Sequence, residues 1–184
     1  MAILPEALAR ARLDLSLYDG STRIRDAVGD GRGFDAQFIR ELRNAVRQNL
    51  TRTSDALSAE QQRVWWESSE RDRRRVTIAE CWSMADNRPH TQVIGFGMVS
   101  AVGSEGWLTG ALVEGSRGHG HGMTVFEEMI AWCRVSNLQP RLEVFADNVP
   151  ARRLYTALGF AINNTKLVLQ PDVGPRTILT MWKP

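Results

Sequence analysis

Between residues 117 and 122 the chain reads Arg117-Gly118-His119-Gly120-His121-Gly122, with glycine at every second position. Glycines leave the main chain bare, so successive N–H groups can close around an anion, and a helix starting just beyond adds peptide dipoles that favour negative charge. The chemistry this predicts is a cradle for a pyrophosphate. Spacing excludes two other phosphate loops. No Gly-Lys-Ser/Thr ending follows, and the dinucleotide pattern G-x-G-x-x-G would need glycine where Met123 stands. The pattern left is Arg-x-x-Gly-x-Gly.

Such a loop needs a strand before it and a helix behind it. Trp107 to Val113 reads as the strand, and Met123 to Val135 as a helix with Met123, Phe126, Ile130 and Cys133 on its apolar face. Upstream, Leu13 to Tyr18 alternates like a strand and Gly29 to Gly33 reads as a loop. Phe34, Phe38, Leu42 and Val46 recur every fourth position, which predicts an amphipathic helix from about residue 35 to 48. Ser58 with Gln61 forms a capping box for a second helix through Val64, Trp65 and Trp66. Val76, Ile78, Glu80 and Trp82 then share one side of a strand, Asn87 to His90 turns, and Gln92 to Ala101 returns. Ser104-Glu105-Gly106 turns again into the Trp107 strand, completing an antiparallel meander. After the glycine loop and its helix come a strand from Arg141 to Phe145, a short helix, and late strands near Lys166 to Leu169 and Thr177 to Trp182. This order predicts one mixed sheet with helices on both faces, of α+β or α/β class.

Size and composition bound the reading. A chain of 184 residues suits one domain with a core of its own, and 43% hydrophobic with 24% charged residues is ordinary for a soluble globular protein. No apolar run approaches the roughly 20 residues of a membrane span, and the start Met-Ala-Ile-Leu-Pro-Glu lacks the features of a signal peptide. Cys81 and Cys133 are isolated in sequence, which suits a reducing cytoplasm. A net charge of +2 is too small to argue for a nucleic-acid partner. Neither membrane nor nucleic acid is expected as a partner.

Arg117, Gly120 and Gly122 fill the three fixed positions of Gln/Arg-x-x-Gly-x-Gly/Ala, and here the sequence resembles the GNAT superfamily of acyl-CoA-dependent N-acetyltransferases. A second block, Leu142 to Phe160, resembles that family's closing motif: a strand, an Asn, a short helix with a Tyr, then Gly-Phe. Its local chemistry agrees. Asp147 or Asn148 can cap a helix that Pro150 opens, Ala151, Leu154, Tyr155 and Leu158 share one face, and Gly159 supplies a left-handed stop. The two blocks span about residues 107 to 160.

The resemblance implies a single-domain GNAT-like α+β fold over 1–184, with a largely antiparallel central sheet and helices on both faces. Residues 1–70 would supply an N-terminal strand and acceptor-side helices, 75–170 the cofactor-binding core, and 165–184 a closing hairpin. It implies acetyl-CoA as co-substrate and direct attack by a primary amine, on a small molecule, an amino-sugar, a protein N-terminus or a lysine. A homodimer is one option for the assembly. Amides from Arg117 through Gly118, His119, Gly120, His121 and Gly122 to Met123 would surround the pyrophosphate. Leu112 and Val113 would pair with the pantetheine arm as an added strand, with the Leu112 N–H the first choice of donor to the thioester oxygen and Val113 the next. Asn148 would hydrogen-bond the pantetheine amide. Tyr155 matches the family's general acid, a phenol that with a pKa of about 10 stays protonated at neutral pH; a merely packed tyrosine is the alternative. Glu143 precedes Tyr155 by twelve residues, the separation found in the ribosomal-protein alanine acetyltransferases. As general base it would be partly desolvated and its pKa raised; a structural glutamate is the alternative, with Glu114, Glu80 or a water as rivals.

Other features carry less. His119 and His121 form His-x-His, but no further ligand cluster lies at metal spacing, so phosphate contact or exposure is expected for them and no metal. Arg71, Arg73, Arg74 and Arg75 read as a solvated run, with a contact to the adenosine 3′-phosphate, a nucleotide-sugar or RNA as the alternative. Trp65, Trp66, Trp82 and Trp107 are expected in the core, although adjacent Trp65 and Trp66 cannot share a helix face and one should line an opening. Two rival functions stay open: a non-catalytic acyl-CoA-binding module, and a toxin-like enzyme acting on aminoacyl-RNA. One outcome follows from the cradle alone. Gly120→Val should sharply weaken acetyl-CoA binding measured by calorimetry, and an unaltered Kd would contradict the loop's role.

Overall fold

Six consecutive residues, Val76 to Cys81, are all buried, and a strand can bury both its faces only in the interior of a covered sheet. They belong to β2 (Arg74–Ala85). The computed structural model describes residues 18–52, 55–68, 73–85, 88–170 and 173–184. Around β2 lie β1 (Tyr18–Asp26), β3 (Arg88–Val102), β4 (Glu105–Leu112), β5 (Gln139–Phe145), β6 (Ala161–Gln170) and β7 (Gly174–Trp182). Their order across one seven-stranded sheet is β1-β2-β3-β4-β5-β7-β6. Every neighbouring pair is antiparallel except β4 and β5, which run parallel.

The helices are α1 (Phe34–Ala45), α2 (Ala59–Glu67), α3 (His121–Val135) and α4 (Val149–Ala157). Two side chains of β1 show that they cover opposite faces. Thr22 meets His121 of α3, whereas Arg25, an odd number of residues along, meets Asp35 of α1. Beneath α3 the sheet carries Gly97 and Gly106, where an added Cβ would lie 3.1 Å from Met129 Sδ and 2.5 Å from Cys133 Sγ. Bare backbone there lets α3 lie close to the sheet. The core continues through Phe126, Met129, Leu142, Val144 and Met181.

Several elements match local signals. Ser58 and Gln61 form the reciprocal capping box of α2, Asn148 caps α4, and Gly159 ends it with a φ of 84°. Others differ. α1 stops at Ala45, and after Val46 the chain tightens into a 3-10 turn, Arg47–Asn49, where the Gln48 carbonyl accepts from Arg176 instead of extending the helix. The one-sided pattern expected of β2 is two-sided, because α1 and α3 sandwich it. Of the four tryptophans expected inside, Trp66 is in the core with its indole N–H donating to the Gly29 carbonyl. Trp82 is 41% exposed, Trp65 lies under the Arg74 guanidinium, and Trp107 is half-buried. β1 begins at Tyr18, so most of the strand expected over Leu13 to Tyr18 lies outside the described residues, as does Arg71.

The α1 face is pinned by charge. Arg25 donates to both carboxylate oxygens of buried Asp35 at 2.6 and 2.8 Å and to Glu80 at 2.6 Å. Removing Asp35 leaves the partly buried Arg25 with Glu80 alone and strips the Val28 N–H of its acceptor. Asp35→Ala should therefore destabilise the fold by about 3 kcal/mol in urea denaturation, and a change below about 1 kcal/mol would show the network to be dispensable.

Candidate active site

Parallel pairing of β4 with β5 covers only Glu105–Gln139, Gly106–Pro140 and Trp107–Arg141. Beyond Trp107 the two strands part, and β4 keeps an unpaired edge up to Leu112. The direction of each amide on that edge follows from its antiparallel partner. Val113 N–H donates to the Ile94 carbonyl at 2.8 Å, on the β3 side, so by alternation the Leu112 N–H turns away from β3 into the wedge. Of the two candidate donors, Leu112 is the one facing the opening, and Val113 is taken.

From this edge the chain makes a 3-10 turn, Glu114–Ser116, and reaches the glycine loop. Gly118 and Gly120 adopt φ of 82° and 86°, a left-handed region that glycine enters without strain, and α3 begins at His121, two residues before its expected start. Gly118, His119, Gly120, His121 and Gly122 form a run of five N–H groups with no hydrogen-bond acceptor among the described residues. Its two ends are closed: Arg117 N–H donates to Glu114 and Met123 N–H to Gly120. The Arg117 guanidinium donates to the Leu112 carbonyl at 3.3 Å, bracing the turn rather than adding charge to an anion. A Cβ at Gly122 would lie 3.2 Å from Leu154 and 3.8 Å from Leu112, so the loop, the β4 edge and α4 converge.

Tyr155 of α4 packs against Phe126 and Phe160 with ring centroids 4.9 and 6.2 Å away. Burial pushes its phenol above the ordinary range. Asn148 spends its Oδ1 on the Ala151 N–H, capping α4, which leaves its amide nitrogen to donate elsewhere.

The carboxylates behave differently from expectation. Glu143 is held at Oε1 by Lys166 (2.8 Å) and at Oε2 by the Thr51 hydroxyl (3.2 Å) and Arg52 Nε (3.4 Å). Burial alone would raise its pKa, but the hydrogen bond and charge of Lys166, the charge of Arg52 and the Thr51 bond together hold it below the usual carboxylate range. The raised pKa expected of it is thus corrected. Glu80 is buried in the Arg25 network, and Glu114 is exposed on the 3-10 turn.

A protein-family model described as the acetyltransferase (GNAT) family matches residues 39–160, which include the wedge, the loop, Glu143 and Tyr155. The chain belongs to this family. It is an acetyltransferase with acetyl-CoA as co-substrate. No curated protein matches the chain in sequence. Among solved structures, the GNAT fold recurs in a ribosomal-protein-alanine N-acetyltransferase from Brucella melitensis, 21% identical over 88% of this chain and 98% of that one, with a TM-score of 0.70. It recurs in yncA from Salmonella typhimurium, solved with its cofactor acetyl-CoA (17%, 88% and 91%, TM-score 0.68). A spermidine N-acetyltransferase from Vibrio cholerae, in complex with CoA and spermine, is similar again (16%, 88% and 94%, TM-score 0.71).

Two side chains of this GNAT acetyltransferase depart from what the sequence suggests. His121, expected exposed or on phosphate, is buried with Nδ1 2.7 Å from Thr22 Oγ1, while His119 is exposed. Among the described residues no three His, Cys, Asp or Glu gather as metal ligands. Arg75 is likewise not solvated, since it pairs with Asp26 and Glu128. Thr51, Arg52 and Lys166 were not marked by any motif, because each reaches Glu143 from a distant part of the chain.

Burial first, and the neighbouring His119 second, hold the His121 imidazole below its ordinary pKa of about 6.5. A histidine whose folded pKa is depressed stabilises the fold above the unfolded pKa and ceases to do so as pH falls through the folded value. Between about pH 7.5 and 5, wild-type Tm should therefore fall more than that of His121→Gln in thermal melts. Parallel curves would contradict a buried neutral imidazole.

Proposed function

We propose that this protein is an N-acetyltransferase that passes the acetyl group of acetyl-CoA directly to a primary amine in a ternary complex. The observation that carries the reading is the run of five amides, Gly118 to Gly122, with no acceptor among the described residues, one turn beyond the free edge of β4. A helix N-terminus with bare, left-handed glycines fits a diphosphate, and the unpaired edge fits an extended amide-bearing arm. When bound, acetyl-CoA supplies the activated acyl group as a thioester.

The chain's own residues then divide the work. Gly118 to Gly122 hold the diphosphate, and the Asn148 amide nitrogen holds the arm. The Leu112 N–H faces the carbonyl whose oxygen gains charge, a contribution of a few kcal/mol by the usual magnitude. Tyr155, kept protonated by burial, returns a proton to the departing sulfur. Glu143, an anion at neutral pH, fixes Lys166, Arg52 and Thr51 at the acceptor side of the wedge rather than taking a proton, and water carries away the proton of the attacking ammonium. Direct attack suits the cysteines as well. Cys81 and Cys133 are both buried, and burial pushes the Cys133 thiol up to about 11, which removes it as a thiolate nucleophile.

The acceptors named for similar structures, a ribosomal protein and spermidine, differ so widely that fold likeness does not select one. The mechanism is tested on turnover. With any amine found active by thiol release, Tyr155→Phe should lower kcat by about 10²- to 10⁴-fold with little change in acetyl-CoA affinity. Unchanged kcat would remove Tyr155 from the mechanism. Acetyl-CoA binding with no thiol release for any amine class would favour a binding module.

A further inference from the structure

The stretch that follows α1 reaches the sheet at Thr51 and Arg52 and puts a cation where β4 and β5 part. Arg52 straddles the point where the strands part: its guanidinium lies 4.2 Å over the Trp107 ring of β4 while its Nε is 3.4 Å from Glu143 of β5. Lys166 comes from the other side to the second oxygen of the same carboxylate at 2.8 Å. Two cations thus share one carboxylate, and among the described residues one positive charge is left uncompensated. Both cations are open to an incoming molecule, Arg52 being 53% and Lys166 48% exposed, whereas Glu143 is only 8% exposed. The terminal nitrogens of Arg52 hold no partner among the described residues, and Lys166 uses one of its three donors.

The neighbouring Arg176–Asp147 pair does not cancel this excess. Arg176 is 11% exposed and spent on Asp147, the Gln48 carbonyl and Gln170, with its guanidinium 3.5 Å over Phe145. Those same bonds, with Thr51 on Glu143, fasten the stretch from Gln48 to Arg52 to the sheet, so Arg52 is offered on an anchored segment. An incoming acceptor therefore meets two exposed cationic donors here, held in place by a buried carboxylate.

We propose that Arg52 and Lys166 form an anion-binding subsite of the acceptor site, selecting amine acceptors that carry a carboxylate or similar anionic oxygen group away from the reacting nitrogen. This rests on the acetyl-transfer reading above. Strand geometry sets the separation. Glu143 lies two residues beyond Arg141, hence level with Thr109, three residues short of Leu112 and roughly 10 Å along the strand. That is about three residues of extended peptide, too far for an α-carboxylate and suited to an N-terminal segment with an acidic residue near its third position. Planar guanidinium nitrogens match a carboxylate's two oxygens, and the half-exposed setting keeps the interaction selective without burying a new charge.

The test uses the full chain and short free-amine peptides that differ only by Glu, Gln or Lys at the second, third or fourth position. kcat/KM for the third-position Glu peptide should exceed that for its Gln counterpart by about tenfold or more, with the difference in KM. Arg52→Gln should erase the preference, and Arg52→Glu should turn it toward the Lys peptide, while calorimetric affinity for acetyl-CoA stays unchanged. Equal kcat/KM for the Glu and Gln peptides, or preference for the Lys peptide or spermidine by the wild type, overturns the subsite. Titration of CoA-loaded protein with the N-acetylated Glu and Gln peptides decides the matter without turnover. Tighter binding of the Glu product supports the proposal, and equal or undetectable binding of both overturns it. Loss of acetyl-CoA binding itself would instead strike the acetyl-transfer reading.

Discussion

The site depends on one constraint, the failure of β4 and β5 to stay paired after Trp107 and Arg141. A parallel pair that continued would spend the Leu112 amide on β5. Because the strands separate, that edge stays open while each strand remains anchored on its other side, β4 by β3 and β5 by β7. The opening is therefore framed by a paired strand on each side, and no ladder bond has to break to admit an extended ligand. The glycine loop extends the same logic. Left-handed backbone at Gly118 and Gly120 turns five amides outward, and the Arg117 bond to the Leu112 carbonyl ties the loop to the edge it follows.

The two faces of the sheet carry separate tasks. On the α3 side, apolar packing around Phe126 and Met129 and the Thr22–His121 contact fix the start of the helix that presents the amides. On the α1 side, charge does the fastening: Arg25 gathers Asp35 and Glu80, Arg176 gathers Asp147 and Gln48, and Arg52 and Lys166 meet at Glu143. The contacts around Glu143 therefore lie on a polar, salt-linked face, and the glycine loop is braced from an apolar one. Glu143 shows the consequence, since its neighbours hold its pKa below the usual carboxylate range despite burial.

Local physics made much of this legible. The capping box at Ser58 and Gln61, the Asn148 cap, the Gly159 stop and the glycine spacing from 118 to 122 are decided within a few residues, and each is where the sequence puts it. What local pattern could not reveal is set by partners far along the chain. Glu143 meets Thr51 and Arg52 some 90 positions away, and His121 meets Thr22 across 99. No periodicity records such pairs, so the same His-x-His spelling that suggests two exposed rings conceals one buried and one free. The two-sided burial of β2 escaped for a related reason. Thr77, Ala79 and Cys81 look like a polar or neutral stripe until α3 covers it.

The central claim is that the amides of Gly118 to Gly122, with Leu112 beside them, receive the coenzyme. It is tested most directly by following the backbone N–H resonances of isotope-labelled protein as coenzyme A is added. The account predicts that Gly118, His119, Gly120, His121, Gly122 and Leu112 shift together and saturate at one Kd, while Val113, whose N–H is already bonded to Ile94, shifts far less. Saturable shifts confined to other residues, with these six unmoved, would contradict it.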